Sequence, residues 1–190
     1  MELKQVVDSR ISVSNFDVNF KMTKEQIDEI IELNKVAPSA FNMEHTKYYV
    51  ILNESAKKDF NEKVCNQYKV LASSATILVA GHKKPHLRAK DRISDKMYSL
   101  IESSYNDLEY AKEDAIRNAS LSAMQFMLIA KDLGYDTCPM TGFDFEASKL
   151  FFNLDENEEP VLLITIGKED NTNKKVRGYR SKIEDLVEYY

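Results

Sequence analysis

An α+β fold in three layers, a central sheet with helices on both faces, is what this sequence predicts. Three observations carry the prediction. Residues 47–52, 76–80 and 161–166 are short, continuously apolar and rich in β-branched residues, the pattern of strands covered on both faces. Segments of helical periodicity separate them. Residues 114–133 place Ala115, Ile116, Ala119, Ser122, Ala123, Phe126, Met127, Ile129 and Ala130 on more than one helical face, which predicts a helix buried nearly all round.

The elements follow in order. Leu3, Val6 and Val7 form one face of a short helix ending near Ser9. Thr23-Lys24-Glu25-Gln26 is a capping box that opens a second helix, with Ile27, Ile30, Ile31 and Asn34 inward. Pro38 stops it, because the residue before a proline is driven out of the helical region. The strand at 47–52 leads to a helix from Ser55 to about Leu71, with Phe60 and Val64 inward. After the strand at 76–80, residues 82–111 are polar with Met97, Leu100, Ile101 and Leu108 as anchors. They are read as one or two helices forming a lid. Gly134 ends the long helix. Residues 138–144 read as a loop, and Asp144 caps a helix running through Phe152 with Ala147, Leu150 and Phe151 inward. Residues 155–159 read as a solvated acidic turn before the strand at 161–166. In the tail, residues 168–190, Ile183, Leu186, Val187 and Tyr190 recur at helical spacing, so the tail is expected to dock on a partner subunit.

At 190 residues the chain is expected to form one domain, and a net charge of −5 argues against a general nucleic-acid binder. The first eight residues hold no secretory signal, and the apolar run at 75–80 is too short for a membrane span. A cytoplasmic setting is expected. Cys65 and Cys138 are isolated, so they read as small buried hydrophobes. No two of the five glycines make a Gly-x-Gly-x-x-Gly turn or a phosphate loop. His82 and His86 stand four apart, but Pro85 lies between them and no third ligand is evident, so no metal is expected. Tyr98, Tyr105 and Tyr110 read as a half-buried packing face.

Two cationic spots and a hydroxyl-and-amide turn then remain. Arg10 and Ser12 precede Ser14 and Phe16, Pro38-Ser39-Ala40-Phe41-Asn42 follows the second helix, and Lys175 and Arg177 lie far downstream. Charge-assisted hydrogen bonds to a phosphate are worth roughly 1.5–3 kcal/mol each. Three cations and a hydroxyl thus supply much of the ~8 kcal/mol of a micromolar affinity. No nucleophile or general base stands out, so the chemistry is assigned to a bound cofactor.

Taken together these motifs resemble the nitroreductase family of FMN-dependent oxidoreductases over nearly the whole chain. The matching stretches are Arg10-Ile11-Ser12-Val13-Ser14-Asn15-Phe16, Pro38-Ser39-Ala40-Phe41-Asn42, Leu133-Gly134, Pro139-Met140-Thr141-Gly142-Phe143, Ile166-Gly167 and Lys175-Val176-Arg177. The resemblance implies a mostly antiparallel sheet and an intertwined homodimer. It implies that Arg10, Ile11, Ser12, Ser14, Lys175 and Arg177 hold the FMN phosphate and ribityl chain. Pro38, Ser39, Ala40 and Asn42 would reach the flavin from the other subunit. Pro139 and Met140 would line the site, and the backbone of Thr141 and Gly142 would lie near the flavin N5. Asn66 and Lys69, in Asn66-Gln67-Tyr68-Lys69, would face the pyrimidine edge. The implied activity is ping-pong transfer: NADH or NADPH, as a transient reductant, gives hydride to the flavin, and a nitroaromatic, quinone or similar small acceptor removes it. The alternative is a flavin-binding sensing or storage module with little turnover. Its motive is two departures: Ser14 stands where the family has Arg or Lys, and Glu44-His45-Thr46 where it has Gln-Pro-Trp.

Overall fold

The computed structural model describes residues 1–190. Its frame is one four-stranded sheet built from β1 (Thr46–Ile51), β2 (Ala75–His82), β3 (Asp136–Met140) and β4 (Glu158–Gly167), in the spatial order β1-β2-β4-β3. All three pairings are antiparallel. Side chains alternate across a strand, so Ile77, Val79, Ile164 and Ile166 face one layer and Leu78 and Leu163 the other. The first layer is α2 (Lys24–Asn34) and α7 (Leu108–Asp132), through Ile27, Ile30, Ala119, Ala123, Phe126 and Ala130. The second contains Phe60 and Val70, from α3 (Glu54–Phe60) and α4 (Tyr68–Ala72), together with Val64 between them. The three-layer α+β expectation is met.

Four expectations need correction. Residues 138–140 belong to β3, not to a loop. Pro139 hid the strand, since proline cannot donate to a ladder; it is tolerated because β3 is an edge strand, paired in the sheet only with β4. The helix expected from Ser55 to Leu71 breaks. After α3 it widens into a π turn (Asn61–Cys65), and Asn66 then adopts a left-handed φ of 45° before α4 begins. Glu158 and Glu159 are not a solvated turn but buried residues of β4, facing Lys47 and Tyr49 and, for Glu159, Lys112. Finally, several supposed anchors are exposed: Met97, Leu100, Leu108, Leu150, Ile183, Leu186 and Tyr190. Helical spacing told which residues share a face, not whether anything covers it.

Within residues 82–111, read above as a lid, α5 (His86–Ala89) and α6 (Asp95–Ser104) pack on α7 through a small cluster of Met43, Ala89, Ile101, Tyr105 and Ala111. The long helix starts six residues earlier than the apolar pattern indicated, at a side-chain cap. Asp107 accepts from the backbone N–H groups of Glu109 and Tyr110. Its outer face, with Ile116, Leu121 and Met124, is exposed on the single chain.

α7 crosses β2 at contact distance at Gly81. A Cβ there would overlap the backbone carbonyl of Ala115. Backbone cannot swing aside as a side chain tip does, so Gly81→Ala is expected to lower stability by about 3 kcal/mol, or roughly 6–12 °C in melting temperature. Thermal unfolding followed by circular dichroism checks this.

Candidate functional site

One flank of β3 gathers most of the cationic residues. The chain after α1 (Leu3–Ser9) runs beside β3: Ser12 bridges Thr137 in parallel, and the Val13 N–H donates to the Thr137 carbonyl at 3.0 Å. Phe16 bridges Glu169, which brings in the chain after β4. The tail then folds back. Arg177 donates to the carbonyls of Arg10 at 3.1 Å, Val7 at 3.4 Å and Asp8, at the C-terminal end of α1, where a cation is favoured by the helix dipole. Lys69 Nζ lies 3.6 Å from the Cys138 Sγ. Gln67 donates to the Gly142 carbonyl at 3.3 Å, tying α4 to the turn after β3.

This corner carries uncompensated positive charge. Arg10, Lys69, Arg177 and Arg180 form no ion pair, while the contact made by Lys175 is through its backbone N–H, which donates to Glu169 Oε1 at 3.0 Å. Arg10 Nη1 and Thr137 Oγ1 are buried without a hydrogen-bond partner. Burial, then the like charges of Arg177 and Arg180, pulls the Arg10 guanidinium below its ordinary value. A buried donor without a partner is rare and costly, and Arg10 Nη1, beside Arg177 and Arg180, suits an anionic group, whereas Thr137 is paired with Ile166 on the α7 side of the sheet. The residues present therefore fit a phosphate. Arg180 was missed by the sequence reading; its signal was a third basic residue three positions after Arg177.

The Pro38–Asn42 turn is elsewhere. It makes no hydrogen bond to Arg10, Ser12, Lys69 or Arg177, and packs instead against α7. Ala40 N–H donates to Asn118 Oδ1 at 2.8 Å. The turn is backbone-strained: Phe41, Asn42 and Glu44 have φ of 52°, 53° and 53°, in the left-handed region that costs non-glycine residues about 1–3 kcal/mol each. The segment that follows closes on the lid. Arg92 pairs with the Glu44 carboxylate at 3.1 Å, and Arg88 donates to the Glu44 carbonyl at 3.0 Å. Glu44 is thus turned toward the lid arginines. His45 is fully buried, with Nε2 3.0 Å from Asp114 Oδ2 and 3.1 Å from the Tyr105 hydroxyl, which itself donates to Asp114 at 2.5 Å. Burial pushes the Asp114 carboxyl up, but the bonds from His45 and Tyr105 outweigh it and hold the group below its usual range.

The two other histidines are not a pair. The His82 ring nitrogen Nδ1 accepts from the Lys84 N–H at 3.1 Å, while His86 packs against Tyr98 and Tyr105 at 5.6 and 5.2 Å. Burial, with help from Arg88, pushes the His82 imidazole down from 6.5 to about 4. The fold thus favours neutral His82. Between pH 6.5 and about 4 the unfolded chain binds a proton the folded chain refuses, so stability is expected to fall as pH drops through that window. His86 is shifted the same way by burial. His82→Asn, whose amide oxygen also accepts from Lys84, is expected to flatten much of this dependence in melts at pH 4.5, 5.5 and 6.5.

Comparisons with known proteins follow the same outline. A family model described as the nitroreductase family matches residues 7–168. The Bacillus subtilis protein named NAD(P)H nitroreductase MhqN is 42% identical over 99% of this chain and 98% of its own length. A crystal structure of the B. subtilis nitroreductase ydfN superposes with a TM-score of 0.91 at 41% identity, covering 100% of this chain and 99% of that one. A nitroreductase from Exiguobacterium sibiricum, solved in complex with FMN, gives 0.85 at 27% identity, with 100% and 98% covered. No helix of the chain is long and apolar enough to cross a membrane.

Proposed function

Because this chain belongs to the nitroreductase family of NAD(P)H oxidoreductases, we propose that it is an FMN enzyme, passing hydride from NADH or NADPH to a nitroaromatic, quinone or similar small acceptor in a ping-pong cycle. The observation that carries the reading is the corner of unpaired cations around the partnerless, buried Arg10 Nη1. FMN, when bound, supplies a ring that takes hydride from one substrate and gives it to the next.

The chain's residues do the rest. Arg10, Arg177, Lys175 and Ser12 hold the phosphate and ribityl chain, with Arg180 adding charge, while Ile11 and Ser14 form the wall beside them. Lys69 and Asn66 sit by α4, where a cation stabilises the electron-rich edge of the reduced ring. Pro139, Met140 and the exposed turn at Thr141 and Gly142 lie along the same flank, and the turn offers backbone N–H groups to the ring. Pro38, Ser39, Ala40 and Asn42 are distant from this corner within one chain, so they serve the site of a second copy. A homodimer follows, with the exposed outer face of α7 and the apolar residues of the tail 168–190 as its contacts. Residues 82–111 form the lid that selects the acceptor.

The test is the visible absorption of purified protein before and after NADH or NADPH is added without oxygen. A flavin band that bleaches supports the oxidoreductase and names the donor. A band that persists with both donors favours a sensing or storage module. No band after reconstitution with excess FMN overturns the reading.

A further inference from the structure

Three buried polar residues of α7 stand at i, i+4 and i+8: Asp114, Asn118 and Ser122. That spacing puts them in one row on one face of the helix. A row of polar groups buried in an otherwise apolar helix needs a use, since each is costly without a partner. Every member bonds the same stretch of chain, and in the same order. Ser122 takes its start: its hydroxyl and its carbonyl each accept from Asn34 Nδ2 at 3.1 Å, and Tyr48 meets the hydroxyl at 2.6 Å. Asn118 takes its middle through the Ala40 N–H at 2.8 Å, and is itself oriented by donating to the Asp114 carbonyl at 2.7 Å. Asp114 takes its end through His45 at 3.0 Å.

Three of the chain's five left-handed non-glycine residues, Phe41, Asn42 and Glu44, lie between the middle and end attachments. Phe41 is 54% exposed, so its own side chain does not force this shape. The attachments to α7 on either side act together with buried Met43 and with the Glu44 N–H, which donates to Ser39 Oγ at 3.0 Å. A strained segment persists only where its surroundings over-determine it, and such segments gather where a ligand must be met in one geometry.

We propose that the Asp114–Asn118–Ser122 row is a template that presets the 38–44 turn in its flavin-meeting conformation, with Asn118 as the positioning residue for FMN. Asn118 touches neither phosphate nor ring. It acts through Ala40, by holding the turn before the cofactor arrives, so that binding does not have to order it. The inference rests on the flavin reading above.

The experiment is FMN titration by fluorescence quenching of the apo full-length chain, at a temperature where circular dichroism shows each variant folded. Asn118→Leu keeps the branching and the number of heavy atoms and removes the acceptor; its FMN dissociation constant is expected to rise about tenfold. Asn118→Gln keeps both the acceptor for Ala40 and the donor for the Asp114 carbonyl and is expected to recover part of the affinity lost in Asn118→Leu. Should Asn118→Leu not fold, Asn118→Ser replaces it, because its hydroxyl falls one bond short of Ala40. A purely structural role would lower the melting temperature and leave the dissociation constant unchanged, and that result overturns the template. Equal weakening by Leu and Gln overturns it too, since the amide would then be irrelevant. An unaltered chain that takes up no FMN overturns the flavin reading first, and is recognised before any variant is made.

Discussion

Asp114→Leu is expected to lower the melting temperature by roughly 10 °C. Asp114 Oδ2 is the shared acceptor for the Tyr105 hydroxyl and His45 Nε2, and those two residues are 1% and 0% exposed. Leucine matches the branching of the aspartate but accepts nothing. Two buried donors are then stranded where water does not reach them. Hydrogen bonds to a charged acceptor are worth about 1.5–3 kcal/mol each, so losing both costs about 3–6 kcal/mol, well above the ~1 kcal/mol of an ordinary hydrogen bond. Asp114→Asn keeps an acceptor and is expected to lose less than half as much. The two variants also separate by pH. The Asp114 carboxyl is held below its ordinary value of 3.8, so its contribution is present above that value and is lost as pH falls through the folded value. Asp114→Asn should lack this acid-side loss, which urea unfolding at pH 3 and pH 6 would detect. Equal melting temperatures for Asp114→Leu and the original chain would mean the triad is not a stabilising contact.

Arg10→Ala is expected to weaken FMN binding by about 30- to 150-fold, or 2–3 kcal/mol, with little change in apo-protein stability. The asymmetry follows from the structure. Arg10 Nη1 bonds nothing in the protein, so truncation removes a donor from the ligand and leaves no protein group stranded. It also relieves the crowding with Arg177 and Arg180. Arg10→Lys restores charge without the forked geometry and should recover only part of the affinity. Arg177→Ala differs in kind. It strips a cation from the corner and also uncovers the carbonyls of Val7, Asp8 and Arg10, so it should reduce apo stability as well. Calorimetric titration with FMN, beside melts of each apo variant, reads both quantities. An Arg10→Ala chain that binds FMN as tightly as the original would remove the phosphate from this corner.

Much of the frame was readable from local chemistry. Thr23 and Gln26 form the capping box their spacing required, and Asp144 caps α8 (Phe145–Phe152) through the Ala147 N–H. Gly134, at φ 81°, ends the long helix as expected. These features depend on neighbours within four positions, which a sequence displays. What failed depends on distant partners. β3 is a strand because β4 lies beside it, although Pro139 argues against one locally. Glu158 and Glu159 are buried because Lys47, Tyr49 and Lys112 reach them from other elements. In the candidate site, Arg10, Ser12 and Arg177 converge as their residue types indicated. Asn118 and Asp114 were invisible as polar anchors, because in the sequence they interrupt an apolar helix, and their partners, the Ala40 N–H for Asn118 and the His45 and Tyr105 side chains for Asp114, lie on other segments.

The reach of Arg177 back to Arg10 has a consequence for how the chain is made. The two are 167 positions apart. At ~5–20 residues per second on the ribosome, Arg10 emerges roughly 8–33 s before its companion is synthesised. Until then the corner lacks a cation and α1 lacks the guanidinium that closes its C-terminal end. On the flavin reading, any chain that lacks Arg177 is therefore expected to hold FMN more weakly and to have a less stable α1.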